Sequence, residues 1–276
     1  MLRRIAPAVG LFFLSPLVAE FLLGNLSVTM LVGLVVLSLL YGGGALLVRE
    51  VAHRAGLRWP SIVLLALAYG VLEEGITTQT LFNPHYYGHD LLSYGHVDVL
   101  GMGIPWTVFV LTLHTVWSIS VPILVVELLV GPERRTQPWL GKVGLTVTAV
   151  LFAAGVVITT AMQLASDPFR ASVPQFAGVV VAIVLLVVAA FALRRMPSAP
   201  VEKPAPHPLL VVVGTLAAGA AVMELAVEES IPAWLGALAL VALGARQVPR
   251  EARSGGEHVA WGHDHSGGAV RTGREG

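Results

Sequence analysis

The stretch Leu26-Ser-Val-Thr-Met-Leu-Val-Gly-Leu-Val-Val-Leu-Ser-Leu-Leu-Tyr-Gly-Gly-Gly-Ala-Leu-Leu-Val48 decides the class of this protein. It holds no charged residue and exceeds the roughly 20 residues with which a helix crosses about 30 Å of hydrocarbon. Further apolar runs cover Ile5–Leu23, Pro60–Phe82, Ile104–Val130, Trp139–Leu164, Val173–Leu193, Pro208–Val227 and the shorter Ile231–Ala245. The pattern predicts an all-α, polytopic membrane helix bundle of about eight transmembrane helices over residues 1–246. Residues 247–276, rich in Gly, Arg, Glu and His, are too polar to offset their chain entropy and read as a disordered cytoplasmic tail.

Composition agrees. Apolar residues make up 55% of the 276-residue chain and charged residues 12%, about half the roughly 25% of soluble domains. Seventeen basic and seventeen acidic residues cancel, which leaves no basic field for nucleic acid; the expected partner is the lipid bilayer. There is no cysteine, so disulfides, thiolate metal sites, a cysteine nucleophile and a lipidated cysteine are excluded. Composition leaves the oligomeric state undetermined.

With the N-terminus inside, the inner segments hold Arg3, Arg4, Arg49, Arg54, Arg58, Arg134, Arg135, Lys142, Arg194, Arg195 and Lys203, and the tail adds its own arginines. Only Arg170 then lies outside. That bias predicts two cytoplasmic termini, and it supports the short eighth span. The first run is read as a retained helix, because it is long, contains Pro16 and ends without an Ala-x-Ala site.

The run Pro60–Phe82 carries Glu73 and Glu74 side by side, followed by Thr77, Thr78 and Gln79. At about 1.5 Å per residue the pair lies roughly 20 Å from the inner end. An ionised carboxylate at that depth costs on the order of 2.5–3.5 kcal/mol. Neighbouring side chains on an α-helix diverge by about 100°, so one neighbour is not expected to cover both acids. His114, in the run returning inward, reaches a similar depth, with Thr107, Trp117 and Ser118 on its face. Imidazole beside carboxylate suits metal binding, proton relay or general-base work. Glu20 and Glu224 fall toward the same outer side and complete a candidate polar cluster with Thr77 and Thr78. Glu127 is expected at the inner interface beside Arg134 and Arg135.

The outer connection Asn83–Gly103 holds His85, His89, His96, Asp90, Asp98 and several tyrosines. It reads chiefly as an interfacial lid or aromatic belt over the intramembrane site. His85, His89, His96 and Asp98 form a second, weaker candidate set for a divalent metal, since histidine with carboxylate is zinc chemistry but their spacing fits no signature. His263 and His265 in the tail read as solvated polar residues. The glycines Gly42, Gly43 and Gly44 are expected to admit close helix contact.

The pair Glu73-Glu74 with His114 about forty residues on resembles the CAAX-protease and bacteriocin-processing (CPBP) family of multi-pass proteins, some of them glutamate-dependent intramembrane proteases. That family's pattern is Glu-Glu-x-x-x-Arg, then Phe-x-x-x-His, then His-x-x-x-Asn or Asp. The resemblance implies catalytic roles for Glu73, Glu74 and His114, with a glutamate activating water beside histidine. Thr78 replaces the arginine, Val110 replaces the phenylalanine, and no later intramembrane histidine supplies the third motif. Glu73-Glu-Gly followed by Leu81-Phe-Asn-Pro is also similar to uncharacterised actinobacterial multi-pass membrane proteins. That likeness implies an actinobacterial source, in keeping with fifteen arginines against two lysines.

Three functions follow as expectations. The first is ion or small-ligand binding or transport at an outward-facing Glu/His site. The second is a hydrolase on the same residues, and the third is a membrane protein whose polar cluster only holds helices together. Buried acids and histidines mark ion pathways as readily as catalytic sites. No particular cofactor follows from the residues, although their donor types suit a divalent metal.

Overall fold

The computed structural model describes residues 2–195, 210, 213–214 and 217–221. The expected seventh and eighth spans, Glu224 and the tail lie outside these residues, wholly or in large part. Among the described residues six helices are long and apolar enough to cross a membrane: Ile5–Leu22, Val28–Arg54, Trp59–Thr77, Ile104–Leu129, Lys142–Ser166 and Val173–Ala192. Each coincides, with ends up to six residues apart, with one of the first six apolar runs. The protein is therefore an all-α, multi-pass membrane protein.

The first span is α1 (Leu2–Pro16) continued by a π-helical turn, Leu17–Leu22. The second begins with a 3-10 turn, Val28–Gly33, capped by the Ser27 side chain, and becomes α2 (Leu34–Arg54). The third is α3 (Trp59–Leu72) followed by a π-helical segment, Glu73–Thr77. A short antiparallel pair, β1 (His96–Val97) and β2 (Met102–Gly103), closes the loop between the third and fourth spans, at the end of the bundle designated outer. The fourth span joins α4 (Ile104–Leu113), a π-helical segment His114–Ser120 and α5 (Val121–Leu129). A single turn, α6 (Pro132–Arg135), precedes α7 (Lys142–Ser166) and α8 (Val173–Ala192).

The core lies among α1, α2, α3 and the fourth span, around Leu11, Leu40, Ile62, Ile119 and Ile123. By contrast α7 buries only Thr148, Gly155 and Gln163 and α8 only Val179 and Ala190, while Val147, Val150, Val157, Val180 and Leu185 are exposed. Such outward apolar faces need lipid rather than water around them.

The small residues of α2 set its close contacts. A methyl group at Gly42 would overlap the Phe12 backbone, and one at Gly44 would overlap the Tyr69 ring. The Gly42 contact has a cause in α1. Pro16 lacks the N–H that would bond the Phe12 carbonyl one turn back, so that oxygen is released toward α2. Pro122 likewise leaves the Ser118 carbonyl without its helical donor, and the buried Ser15 hydroxyl donates to it at 2.6 Å. Both prolines thus convert a lost helical bond into a contact between spans.

Candidate functional site

The π-helical segments sit where the polar residues are. Glu20 lies in Leu17–Leu22, Glu73 and Glu74 open Glu73–Thr77, and His114 opens His114–Ser120. Well under 1% of residues in soluble proteins adopt this geometry, mostly as single turns within α-helices and frequently at functional sites. The Thr78 amide bonds the Glu73 carbonyl five residues back at 2.9 Å, widening the turn on which both acids stand. The widened turn corrects one expectation: a single side chain does meet both carboxyls. His114 Nε2 lies 2.7 Å from Glu74 Oε1, and its Nδ1 lies 3.2 Å from Glu73 Oε2.

Glu73, Glu74 and His114 are all buried, with 2%, 4% and 4% of their surfaces exposed. Gly70 makes room for the imidazole, since a methyl there would stand 3.1 Å from His114 Cβ. The ring stacks on Tyr41 with centroids 6.0 Å apart and meets Tyr69 edge-on at 6.3 Å. Ser118 Oγ lies 3.0 Å from Nδ1, one helical turn on, as the expected shared face requires. Thr107 serves the backbone instead, donating to the Gly103 carbonyl at 2.8 Å.

Glu74 Oε2 accepts from the hydroxyls of Thr78, at 3.0 Å, and Thr80. Trp106 Nε1 donates to Thr80 Oγ1 at 3.3 Å and fixes it from above. The chain returns Thr80 to the site through Gln79, a non-glycine residue at φ 59°. Such a conformation is uncommon and persists where its surroundings hold it. Here Gln79 Oε1 accepts from the Ala171 amide at 2.7 Å, tying the turn to the segment before α8. Tyr41 donates its phenol proton to Glu20 Oε1, which links the first span to the ring that stacks on His114.

Hydrogen bonding is incomplete. Glu73 Oε2, Tyr69 Oη and Thr77 Oγ1 are buried without a hydrogen-bond partner. Tyr69 faces the Glu73 carboxyl without closing a bond to it. Glu20, Glu73 and Glu74 share the region with one imidazole, and no arginine or lysine reaches them among the described contacts. Buried polar atoms are usually satisfied, so this concentration of orphans at one point is unusual.

The loop residues do not join the buried site. His85 pairs with Asp90 at 2.5 Å, both exposed, and His96 lies 3.7 Å from the exposed Asp98. His89 sits in a bridge with Tyr86. Among the described residues the one group of three or more ligand-type side chains close enough to hold a metal is Glu73, Glu74 and His114. The loop is anchored to α7: Asn83 Nδ2 and the Tyr87 amide donate to Asp167, and the Tyr86 and Tyr87 hydroxyls donate to Gln163 Oε1. Burial pushes the Tyr86 phenol above its ordinary range, so it remains a neutral donor.

A second polar cluster, not expected from the sequence, occupies the other end of the bundle. Arg49 and Glu50 are fully buried. Arg49 bonds Glu50 Oε1 at 2.8 Å, Glu127 Oε1 at 3.1 Å and the carbonyls of Arg135 and Gln137 at 2.8 Å each. Its guanidinium lies 3.3 Å over the Trp139 ring. Glu50 also accepts from the Trp139 amide at 2.7 Å. Glu127 does not reach outward beside Arg134 and Arg135; it is 5% exposed and bonds Arg49 and His53, because the α5–α7 connection wraps its carbonyls around Arg49.

No curated protein and no solved structure matches the chain. Residues 10–245, most of the chain, match the model of an uncharacterized membrane protein family, and the multi-pass protein described here belongs to that family.

Proposed function

We propose that this protein binds a cation or small ligand at Glu73, Glu74 and His114 and moves it in exchange for protons, in the plasma membrane of a bacterium. The observation that carries the reading is the excess of buried acid. Three carboxyls, Glu20, Glu73 and Glu74, surround one imidazole, and two of them touch it. An unneutralised carboxylate at this depth is costly, so the site favours a positively charged occupant, either protons or a cation. Sites whose occupancy alternates between the two are the chemical basis of proton-coupled transport. The outer loop, anchored by Asp167 and Gln163, lies on the side from which the ligand would enter.

The test is uptake into proteoliposomes under an imposed pH gradient, with Na+, K+, Mg2+, Mn2+ and Zn2+ offered separately. Gradient-driven uptake of one ion is expected, with loss in both Glu74→Gln and His114→Ala. Absence of uptake for every ion, or equal uptake in the variants, contradicts the reading.

The 2.7 Å contact between Glu74 and His114 favours a second reading, a glutamate-dependent intramembrane hydrolase related to the CPBP proteases. Glu74 would then take a proton from water as general base. Thr78 and Val110, in place of that family's arginine and phenylalanine, count against it. Cleavage of a membrane-embedded peptide that is lost in Glu74→Gln would replace the transport reading with this one.

A further inference from the structure

We infer that Glu73, Glu74 and His114 form a binding site for a divalent first-row transition-metal ion, with one coordination position left open. The inference rests on the cation-binding reading of this site and names the class of cation. Each residue offers a ligand atom, and these atoms lie within 4.8 Å of one another. A tetrahedral ion with bonds of about 2.0–2.2 Å holds its ligands about 3.3 Å apart, so small side-chain rotations complete the set.

The surroundings select which atoms remain for an ion. Thr78 and Thr80 both occupy Oε2 of Glu74, leaving Oε1 directed at the imidazole. Ser118 engages Nδ1 of His114, which leaves Nε2 facing the same point. Glu73 Oε2, buried without a hydrogen bond, lies 3.2 Å from Nδ1 on the other edge of the ring, so this carboxylate or the imidazole turns to bring it to the same ion as Nε2. Outer hydrogen bonds of this kind orient metal ligands and fix the imidazole tautomer. The 2.7 Å contact between Nε2 and Oε1 is the gap that an ion would open and occupy, and a ligating imidazole nitrogen carries no proton.

Charge and ligand type narrow the occupant. Two carboxylates balance a divalent ion, and the imidazole remains neutral. A nitrogen ligand disfavours Ca2+ and Mg2+, which take oxygen, and the lack of thiolate disfavours Cu(I). Three protein ligands leave a fourth position, as at metal sites that bind an exchangeable ligand. The orphaned Tyr69 hydroxyl faces Glu73 and is placed to donate to whatever fills that position.

Cobalt(II) titration of the chelator-stripped full-length protein in detergent, followed by visible absorption, tests the inference. One equivalent of Co2+ is expected to bind with an intense, tetrahedral-type spectrum. Glu74→Gln and His114→Ala should abolish that spectrum, and Thr80→Val, which keeps the shape of the side chain, should weaken affinity about 10–100-fold. Thermal unfolding with and without Co2+ separates loss of binding from loss of fold: a folded variant melts cooperatively but gains nothing from Co2+. Retention of the spectrum in Glu74→Gln, together with its loss when His85, His89 and His96 are all changed to alanine, would move the site to the loop and overturn the inference. Absence of Co2+ binding alongside gradient-driven uptake of Na+ or K+ would overturn it while leaving the functional reading intact. Absence of both would remove both.

Discussion

The two buried polar clusters share helix α2, on which Tyr41 and Arg49 stand about 12 Å apart. Their chemistry differs. At the inner end the Arg49 guanidinium meets two carboxylates, two close backbone carbonyls and an indole face. Glu50 is met in turn by Arg49, Arg54 and the amides of Trp139 and Leu140. At the outer end, acids outnumber the base and three polar atoms have no hydrogen-bond partner. A fully matched network fixes a structure, whereas a mismatched one invites a further occupant. The inner cluster is thus a fastener for the α5–α7 connection, whereas the outer cluster leaves polar groups unmatched, which is what the proposed cation site requires.

Substitutions can break this contrast. The largest effect on stability belongs to Arg49→Ala, which strands Glu50 and Glu127 and should cost about 3–5 kcal/mol. Thermal unfolding in detergent measures it, and a loss below about 1 kcal/mol would show that the network is not a fastener. Gly44→Ala comes next, because its methyl collides with the Tyr69 ring; overpacking of this kind costs about 1–3 kcal/mol. It should also weaken ligand binding at the outer site by displacing Tyr69, whereas Arg49→Met should leave affinity unchanged in whatever fraction stays folded. Ser15→Ala removes the donor to the Ser118 carbonyl and should cost about 1–2 kcal/mol. Smallest in stability is Glu73→Gln, which removes an unmatched charge and should lower the unfolding free energy by less than about 1 kcal/mol, or raise it. A severe loss in Glu73→Gln would make the outer cluster structural and erase the difference between the two ends.

The sequence displayed these two regions unequally. Glu73, Glu74 and His114 stood out because each interrupts an apolar run, and helical rise alone put them at one depth. Glu20 was visible for the same reason, though its link through Tyr41 was not. Tyr41, Tyr69 and Trp106 carry no local signal, because aromatics in apolar runs are ordinary core residues. Thr80 carries none either, because only the Gln79 turn, at φ 59°, brings it back to Glu74. Arg49 and Glu50 were hidden by position: at the end of an apolar run, charges read as interfacial, and nothing local announces that residues 134–140 fold over them. The π-helical segments leave no periodicity to read, although Pro122 just beyond His114–Ser120 is consistent with a disturbed turn.

The contrast rests on the claim that the outer carboxyls exchange protons for a cation. Infrared difference spectroscopy of the reconstituted protein, with and without the bound cation, observes those carboxyls directly. The account predicts that a protonated-carboxyl C=O band disappears on cation binding, and that Glu73→Gln or Glu74→Gln removes the change while Glu127→Gln preserves it. A spectrum with no cation-sensitive carboxyl band, or a band that survives both outer substitutions, would contradict it.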